Sequence, residues 1–377
     1  MEELNQLLSD LVKINSVNPA LASGAPGEGE MAHYISHWLE LNDLEVQIVE
    51  SVSGRPNVVG IARGTGDGKT LLLNGHMDTV GVGEMPRPHE PVIKDGRLYG
   101  RGAYDMKSGL AACMWTVAAA KKRKLRGDVI FTAVIDEEYA STGTMDIAQR
   151  FHADGAIVAE FTELRAILAH RGFVCLEVET TGRAAHGSRS DLGVDAITKM
   201  GHILVELEKL DQAFRSNPSH ALLGSGSVHA SLIKGGSELF TYPEHCVLSV
   251  ERRTLPGETP EQAEGEIIEI IEKLKRSDPS FNAVVRRGID RFPMETPRDA
   301  GIFTAIQSAA AKVLNRPLEI AGEPFWTDAE LLSEAGIPSL LFGVSGGGAH
   351  SAEEWVDLSS MKVCADIYLA TALEFCG

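Results

Sequence analysis

Residues 70–79, Thr70-Leu71-Leu72-Leu73-Asn74-Gly75-His76-Met77-Asp78-Thr79, decide the fold. The stretch opens as a short continuous apolar run and closes on a glycine, a histidine and an aspartate. Such a run, without alternation, reads as a strand buried on both faces. Similar runs stand at 57–62, 129–135 and 156–159. Helical periodicity surrounds them, at Leu4, Leu7, Leu8, Leu11 and Val12, over 31–41, and over 109–122. Buried strands separated by helices predict an α/β domain on a mostly parallel sheet covered on both faces.

After about residue 171 the pattern changes. Residues 172–180 alternate as a half-exposed strand does, followed by a helix over 195–210 and strands near 228–233 and 246–252. A helix over 260–274 and a strand over 281–287 complete a β-α-β-β-α-β order, which predicts a small α+β domain. Helix/strand alternation then resumes. The expected organisation is one domain of residues 1–170 and 291–377, interrupted by an inserted domain of residues 171–290.

The 53 acidic residues outnumber 35 basic ones, for a formal charge of −18. That surface repels phosphate backbones and anionic headgroups, so neither nucleic acid nor membrane is an expected partner. Part of the excess is of the kind that bound cations neutralise. No apolar run approaches the roughly 20 residues of a membrane helix, and Met1-Glu2-Glu3-Leu4 does not open a signal peptide. The five cysteines, 113, 175, 246, 364 and 376, are scattered and free of C-x-x-C spacing, which suits a reducing compartment. A cytoplasmic protein without disulfides is expected.

In an open α/β sheet, ligands bind beyond the carboxyl ends of the strands. After 70–73 come His76 and Asp78; after 129–135 come Asp136-Glu137-Glu138; after 156–159 comes Glu160. After 339–344 a turn, Gly346-Gly347-Gly348, leads to His350, and a Gly/Arg-rich loop delivers Asp105. Alone, each residue reads more readily as a solvated or capping side chain than as a ligand. Together, two imidazoles and three carboxylates suit Zn²⁺ and are enough for two ions sharing a bridge. Three carboxylates and one hydroxide also balance two Zn²⁺. The triple glycine either cradles a substrate carboxylate or merely permits the turn.

The chain resembles the zinc-dependent deacylase and exopeptidase family of acetylornithine deacetylase, succinyl-diaminopimelate desuccinylase, aminoacylase and glutamate carboxypeptidase. The resemblance runs through Ile14-Asn15-Ser16-Val17-Asn18-Pro19, Gly75-His76-Met77-Asp78, 100–107, Asp136-Glu137-Glu138, 182–188, 252–258 and Gly348-Ala349-His350-Ser351. It implies that His76 and Glu160 bind one zinc, Glu138 and His350 the other, and that Asp105 bridges them. Co²⁺ and Mn²⁺ suit the same ligands. It also implies a cis peptide at Asp105–Met106, Asp78 supporting His76, and Glu137 as general base for hydrolysis by a bridging hydroxide.

From the inserted domain, which the resemblance casts as a lid and dimerisation domain, His186 would donate to the developing oxyanion, in its own or the partner subunit. Arg253 would grip a substrate carboxylate; neighbouring Arg252 or a surface salt bridge explains the arginine pair equally well. Phe240 departs from the family, whose members often carry Asn there, so the acyl specificity stays open. The expected function is deacylation of a small N-acyl amino acid with a free carboxylate, as by acetylornithine deacetylase, in a homodimer. Desuccinylase-like and glutamate carboxypeptidase-like exopeptidases are alternatives. A relative that only binds metal or peptide belongs to a different class, and would have lost the base or a ligand.

Overall fold

The computed structural model describes residues 2–377. Four strands form the centre of the first sheet, in the order Val129–Val134, Leu71–His76, Gly155–Val158 and Ser339–Leu341, all parallel. Every residue in them is buried. Successive residues of a strand face opposite sides, so both faces of the sheet are covered.

The sheet is mixed rather than mostly parallel. Strands Glu45–Val52 and Arg55–Ala62 pair antiparallel across the turn Ser53-Gly54, where Gly54 takes a φ of 75°. Arg55–Ala62 then pairs antiparallel with Val129–Val134, and Leu341 pairs antiparallel with Ile167. Chain connectivity explains the flank. Only eight residues, 63–70, separate Arg55–Ala62 from Leu71–His76, too few for the crossover that a parallel return needs.

Helix Ser108–Lys121 is apolar around most of its circumference, and eleven of its fourteen residues are buried. It packs on the strand end that carries Glu160. A Cβ at Gly109 would lie 2.2 Å from the carbonyl oxygen of Ala159, so glycine is required for that approach. Helix Leu358–Phe375 buries Met361, Cys364, Tyr368 and Phe375 against the same core.

The chain divides into two compact units. The first comprises residues up to Leu168, Thr296–Ala321 and Thr327–Gly377; the second comprises Ala169–Glu295 and Gly322–Trp326. Nothing in the sequence pattern separates 322–326 from the residues around it. The second unit follows the order strand Gly172–Thr181, helix Ala196–Ser216, strands Ser227–Gly235 and His245–Thr254, helix Pro260–Ser277 and strand Ala283–Arg291. Its four strands are antiparallel. Val174, Leu176 and Val178 from alternate positions pack with Leu248, Val250, Met200, Ile203 and Ile267. Thr259 and Gln262 form a reciprocal capping box that starts helix Pro260–Ser277. Ser227–Gly235 is an edge strand, with Leu232 73% and Ile233 55% exposed. Among the described residues, all five cysteines are free thiols, and no helix is long and apolar enough to cross a membrane.

Candidate metal centre

Because the four central strands run in parallel, their carboxyl ends share one edge of the sheet. His76 is the last residue of its strand; Asp136, Glu137 and Glu138 turn away after Val129–Val134; Glu160 follows Gly155–Val158 by two residues. Asp136 takes a φ of 69°, and its carbonyl accepts from the amides of Ala140 and Ser141. The resulting tight turn projects both glutamates.

The site centres on Asp105. Its Oδ1 lies 3.2 Å from His76 Nε2, and its Oδ2 lies 3.1 Å from His350 Nε2. Glu160 Oε1 is 3.6 Å from His76 Nε2, and Glu138 Oε2 is 3.1 Å from His350 Nε2. Glu137 Oε2 stands farther from His76 Nε2, at 4.0 Å. Two trios, His76–Glu137–Glu160 and His76–Asp105–Glu138, each bring their ligand atoms within 4.8 Å of one another. The geometry therefore admits Glu137 beside a cation as well as Glu160. The peptide Asp105–Met106 is cis.

Burial raises the affinity of Glu137 and Glu138 for protons, and pushes Glu160 up to about 8. Burial opposes a charge on His76 too, but hydrogen bonds to Asp105 and Asp78 outweigh it and hold the ring's pKa well above the usual value. Hydrogen bonds to Asp105 and Glu138 raise His350 to about 10. Glu138 Oε1 is buried without a hydrogen-bond partner. An acidic cluster with an orphan oxygen and two imidazoles is the donor set of a divalent cation of borderline softness. The residues fit a metal centre.

Asp78 does more than stand beside His76. His76 Nδ1 is 3.0 Å from the backbone carbonyl of Asp78 and 3.4 Å from its carboxylate. The carboxylate instead accepts the amides of Glu137 at 3.1 Å and Glu138 at 3.2 Å, and the side-chain amide of Asn18 at 2.8 Å. Main chain and side chain of Asp78 both face the histidine, and the side chain also holds the two glutamates.

Sequence reasoning missed two further carboxylates. Glu354 Oε1 accepts the amides of Tyr104 at 2.9 Å and Asp105 at 3.0 Å, while Oε2 accepts from Gly102 at 3.0 Å and Arg101 at 2.6 Å. It fastens the loop that presents Asp105. Asp328, 1% exposed, accepts the Thr144 hydroxyl at 2.5 Å, and burial pushes it up to about 6. The Gly346 amide is already taken, since it donates to Glu163 at 3.2 Å.

His186 and Arg253 belong to the second unit. His186 is exposed, and its Nδ1 accepts the Ser188 amide at 3.2 Å. An amide can only donate, so the ring proton resides on Nε2. The amide of Gly187 donates to the carbonyl of Phe240 at 2.7 Å, which sets that exposed loop beside His186. Arg253 pairs with Glu251 and lies over the Phe173 ring at 5.3 Å. Arg252 is buried among Glu258, Glu266 and the ring of Phe214.

Residues 72–374 match the family model described as Peptidase family M20/M25/M40. The chain is 29% identical to an N-formyl-4-amino-5-aminomethyl-2-methylpyrimidine deformylase of Bacillus subtilis, over 100% of this chain and 95% of that protein. It is 30% identical to an acetylornithine deacetylase of Myxococcus xanthus, over 85% of this chain and 84% of that one. The crystal structure of aminopeptidase PepT from Bacillus cereus has the same fold, with a TM-score of 0.82 at 18% identity, covering 100% of this chain and 99% of that one. With the family model spanning most of its length and relatives matching it nearly end to end, the chain belongs to Peptidase family M20/M25/M40 and is a metallohydrolase.

Proposed function

We infer that the protein removes the acyl group from a small N-acyl amino acid, using two divalent ions, with zinc as the metal. His76 and Glu160 would hold one ion, His350 and Glu138 the other, and Asp105 would bridge them. The observation that carries this assignment is the split of Asp105, one oxygen facing each histidine. When bound, such a pair polarises the substrate carbonyl and lets water attack near neutral pH.

The protein's own groups account for the proton traffic. Glu137 is adjacent to Glu138 and farther from His76 Nε2 than Glu160 is, which suits a base rather than a ligand. Its carboxylate takes the proton of the attacking water and returns it to the leaving nitrogen. Asp78 holds Glu137 and Glu138 in register through their amides. The Nε2–H of His186 is a donor suited to the carbonyl oxygen as it gains charge. Arg253 is the candidate partner of a substrate carboxylate, with Glu251 as its resting partner. The edge strand Ser227–Gly235, with Leu232 and Ile233 exposed, is the surface on which a lid and dimerisation role for the second unit would rest.

A second reading, removal of a formyl group from a small amine, is favoured by the engagement of Arg253 with Glu251, which leaves that arginine less available to a carboxylate. A metal-content measurement and a hydrolysis screen separate the readings. The screen sets N-acetyl, N-succinyl and N-formyl amino acids and Glu-terminated dipeptides against N-formyl amines, each with and without chelator. Activity indifferent to the chelator would sink both.

A further inference from the structure

Three residues beyond Glu160, the chain does something costly. Glu163 and Leu164 are consecutive non-glycine residues with φ of 55° and 58°, a backbone region that L-residues enter only where their surroundings hold them. Here the clasp is main chain. The amides of Thr162 and Glu163 donate to the Val344 carbonyl at 3.3 and 3.1 Å, and the Leu164 amide donates to Gly343 at 3.0 Å. The loop after Glu160 is thereby fixed to the segment that leads on to His350.

The side chain of Glu163 is fixed as well. Its Oε1 accepts the Tyr104 hydroxyl at 2.6 Å and the Gly346 amide at 3.2 Å. Tyr104 directly precedes Asp105, and Gly346 opens the turn that ends at His350. One carboxylate oxygen is therefore tied to both segments that complete the metal centre. The other, Oε2, receives no hydrogen bond from the described residues, and Glu163 is exposed without a basic partner. Beside it the Tyr104 ring stacks on Phe161 at 4.4 Å between centroids. The hydrogen bond from Gly346 to Glu163 also bears on the first glycine of the triple turn. The Gly346 amide is occupied by a resident carboxylate, which repels an anion, so this end of the triple glycine does not receive a substrate carboxylate.

A fixed carboxylate with one oxygen open recognises a cation through a charge-assisted hydrogen bond. We propose that Glu163 is a specificity-determining residue that selects substrates carrying a protonated amine in addition to the scissile amide. This rests on the deacylase function proposed above and narrows its substrate class.

The test compares N-acetyl-L-ornithine with N-acetyl-L-norvaline, which has the same carbon chain without the amine, on the zinc-loaded enzyme. The wild type favours the ornithine compound by roughly tenfold or more in kcat/KM, and the preference lies in KM. Glu163→Gln keeps the acceptor for Tyr104 and Gly346 while removing the charge, so the ratio of the two kcat/KM values collapses toward one. Glu163→Lys inverts it in favour of N-acetyl-L-glutamate. A wild type without preference overturns the proposal, as does a Glu163→Gln ratio equal to that of the wild type. Calorimetric binding of the same two compounds keeps the two claims apart. Glu163-dependent binding of the ornithine compound without hydrolysis removes the deacylase function and leaves the selectivity standing. Hydrolysis of both compounds without preference does the reverse.

Discussion

Each unit buries a set of charges, and the two sets are completed on different terms. In the second unit Arg252, 1% exposed, meets Glu266 at 2.9 Å and Glu258 at 3.1 Å and lies over Phe214. Both of its carboxylates keep some solvent, so the set needs nothing further. In the first unit, among the described residues, Asp78, Asp105, Glu137, Glu138 and Glu160 form ion pairs with His76 and His350 alone. Even with both rings protonated, five carboxylates face two cations. Such a set can relax by taking up protons, which is why burial drives Glu160 to about 8, or by taking up metal. A carboxylate excess shut away from solvent calls for a cation, whereas one whose carboxylates still reach water does not.

The comparison breaks most readily at His76. His76→Ala removes a metal and lowers kcat/KM at least about a thousandfold, beyond the 10–100-fold typical of supporting residues, as read by metal analysis and hydrolysis rate. Chelation of the wild type lowers the melting temperature, since a ligand at about a thousand times its Kd stabilises by about 4 kcal/mol. Restored stability on adding zinc back, measured by calorimetry, completes that test; an unmoved melting temperature argues that the cluster is scaffold after all.

Glu137→Gln comes next. It costs about 10²–10⁴ in kcat with metal content at the wild-type value, and a fall in bound metal instead would make Glu137 a ligand. In the second unit, Arg252→Met strands two carboxylates and destabilises by about 3 kcal/mol, the low end for a broken buried pair because both keep solvent. Urea unfolding measures it, and metal content should not change. Asp78→Asn removes charge but not shape, and costs roughly 10–100-fold in activity; no loss would mean that the amides of Glu137 and Glu138 need no carboxylate.

The smallest effect lies at the surface. The hydrogen bond from Lys199 holds Asp278 down at about 2. A depressed folded-state pKa contributes stability above the unfolded value near 4, lost as pH falls through about 2. For a pair this exposed the contribution is under about 1 kcal/mol. Asp278→Asn should therefore leave the acid-unfolding midpoint almost unmoved, whereas a large shift would show that surface pairs matter here as much as the buried cluster.

Much of this was legible in the residues. Apolar runs ending on His76, Glu138 and Glu160 mark strands and their carboxyl ends, because burial on both faces demands continuous hydrophobicity and a ligand needs an exit point. The β-α-β-β-α-β order of the second unit is equally plain from alternation. The direction of Arg55–Ala62 was not, because its apolar pattern is the same in parallel and antiparallel pairing. Glu354 stands beside Glu353 with nothing to distinguish it, yet it fastens residues some 250 positions earlier. Asp328 and Glu163 are likewise ordinary acidic residues until the chain closes around them.

By itself, the sequence determined which residue types stand at the strand ends, and hence that a divalent metal is the chemistry to expect. Tertiary structure alone decided that Asp105 divides its oxygens between His76 and His350, and that Asp78 serves two amides more closely than it serves a ring. It also decided that one glutamate locks the Asp105 loop while another keeps an oxygen open. Periodicity reports burial along a single element. Hydrogen bonds between distant segments depend on where several elements meet, and no local pattern encodes that.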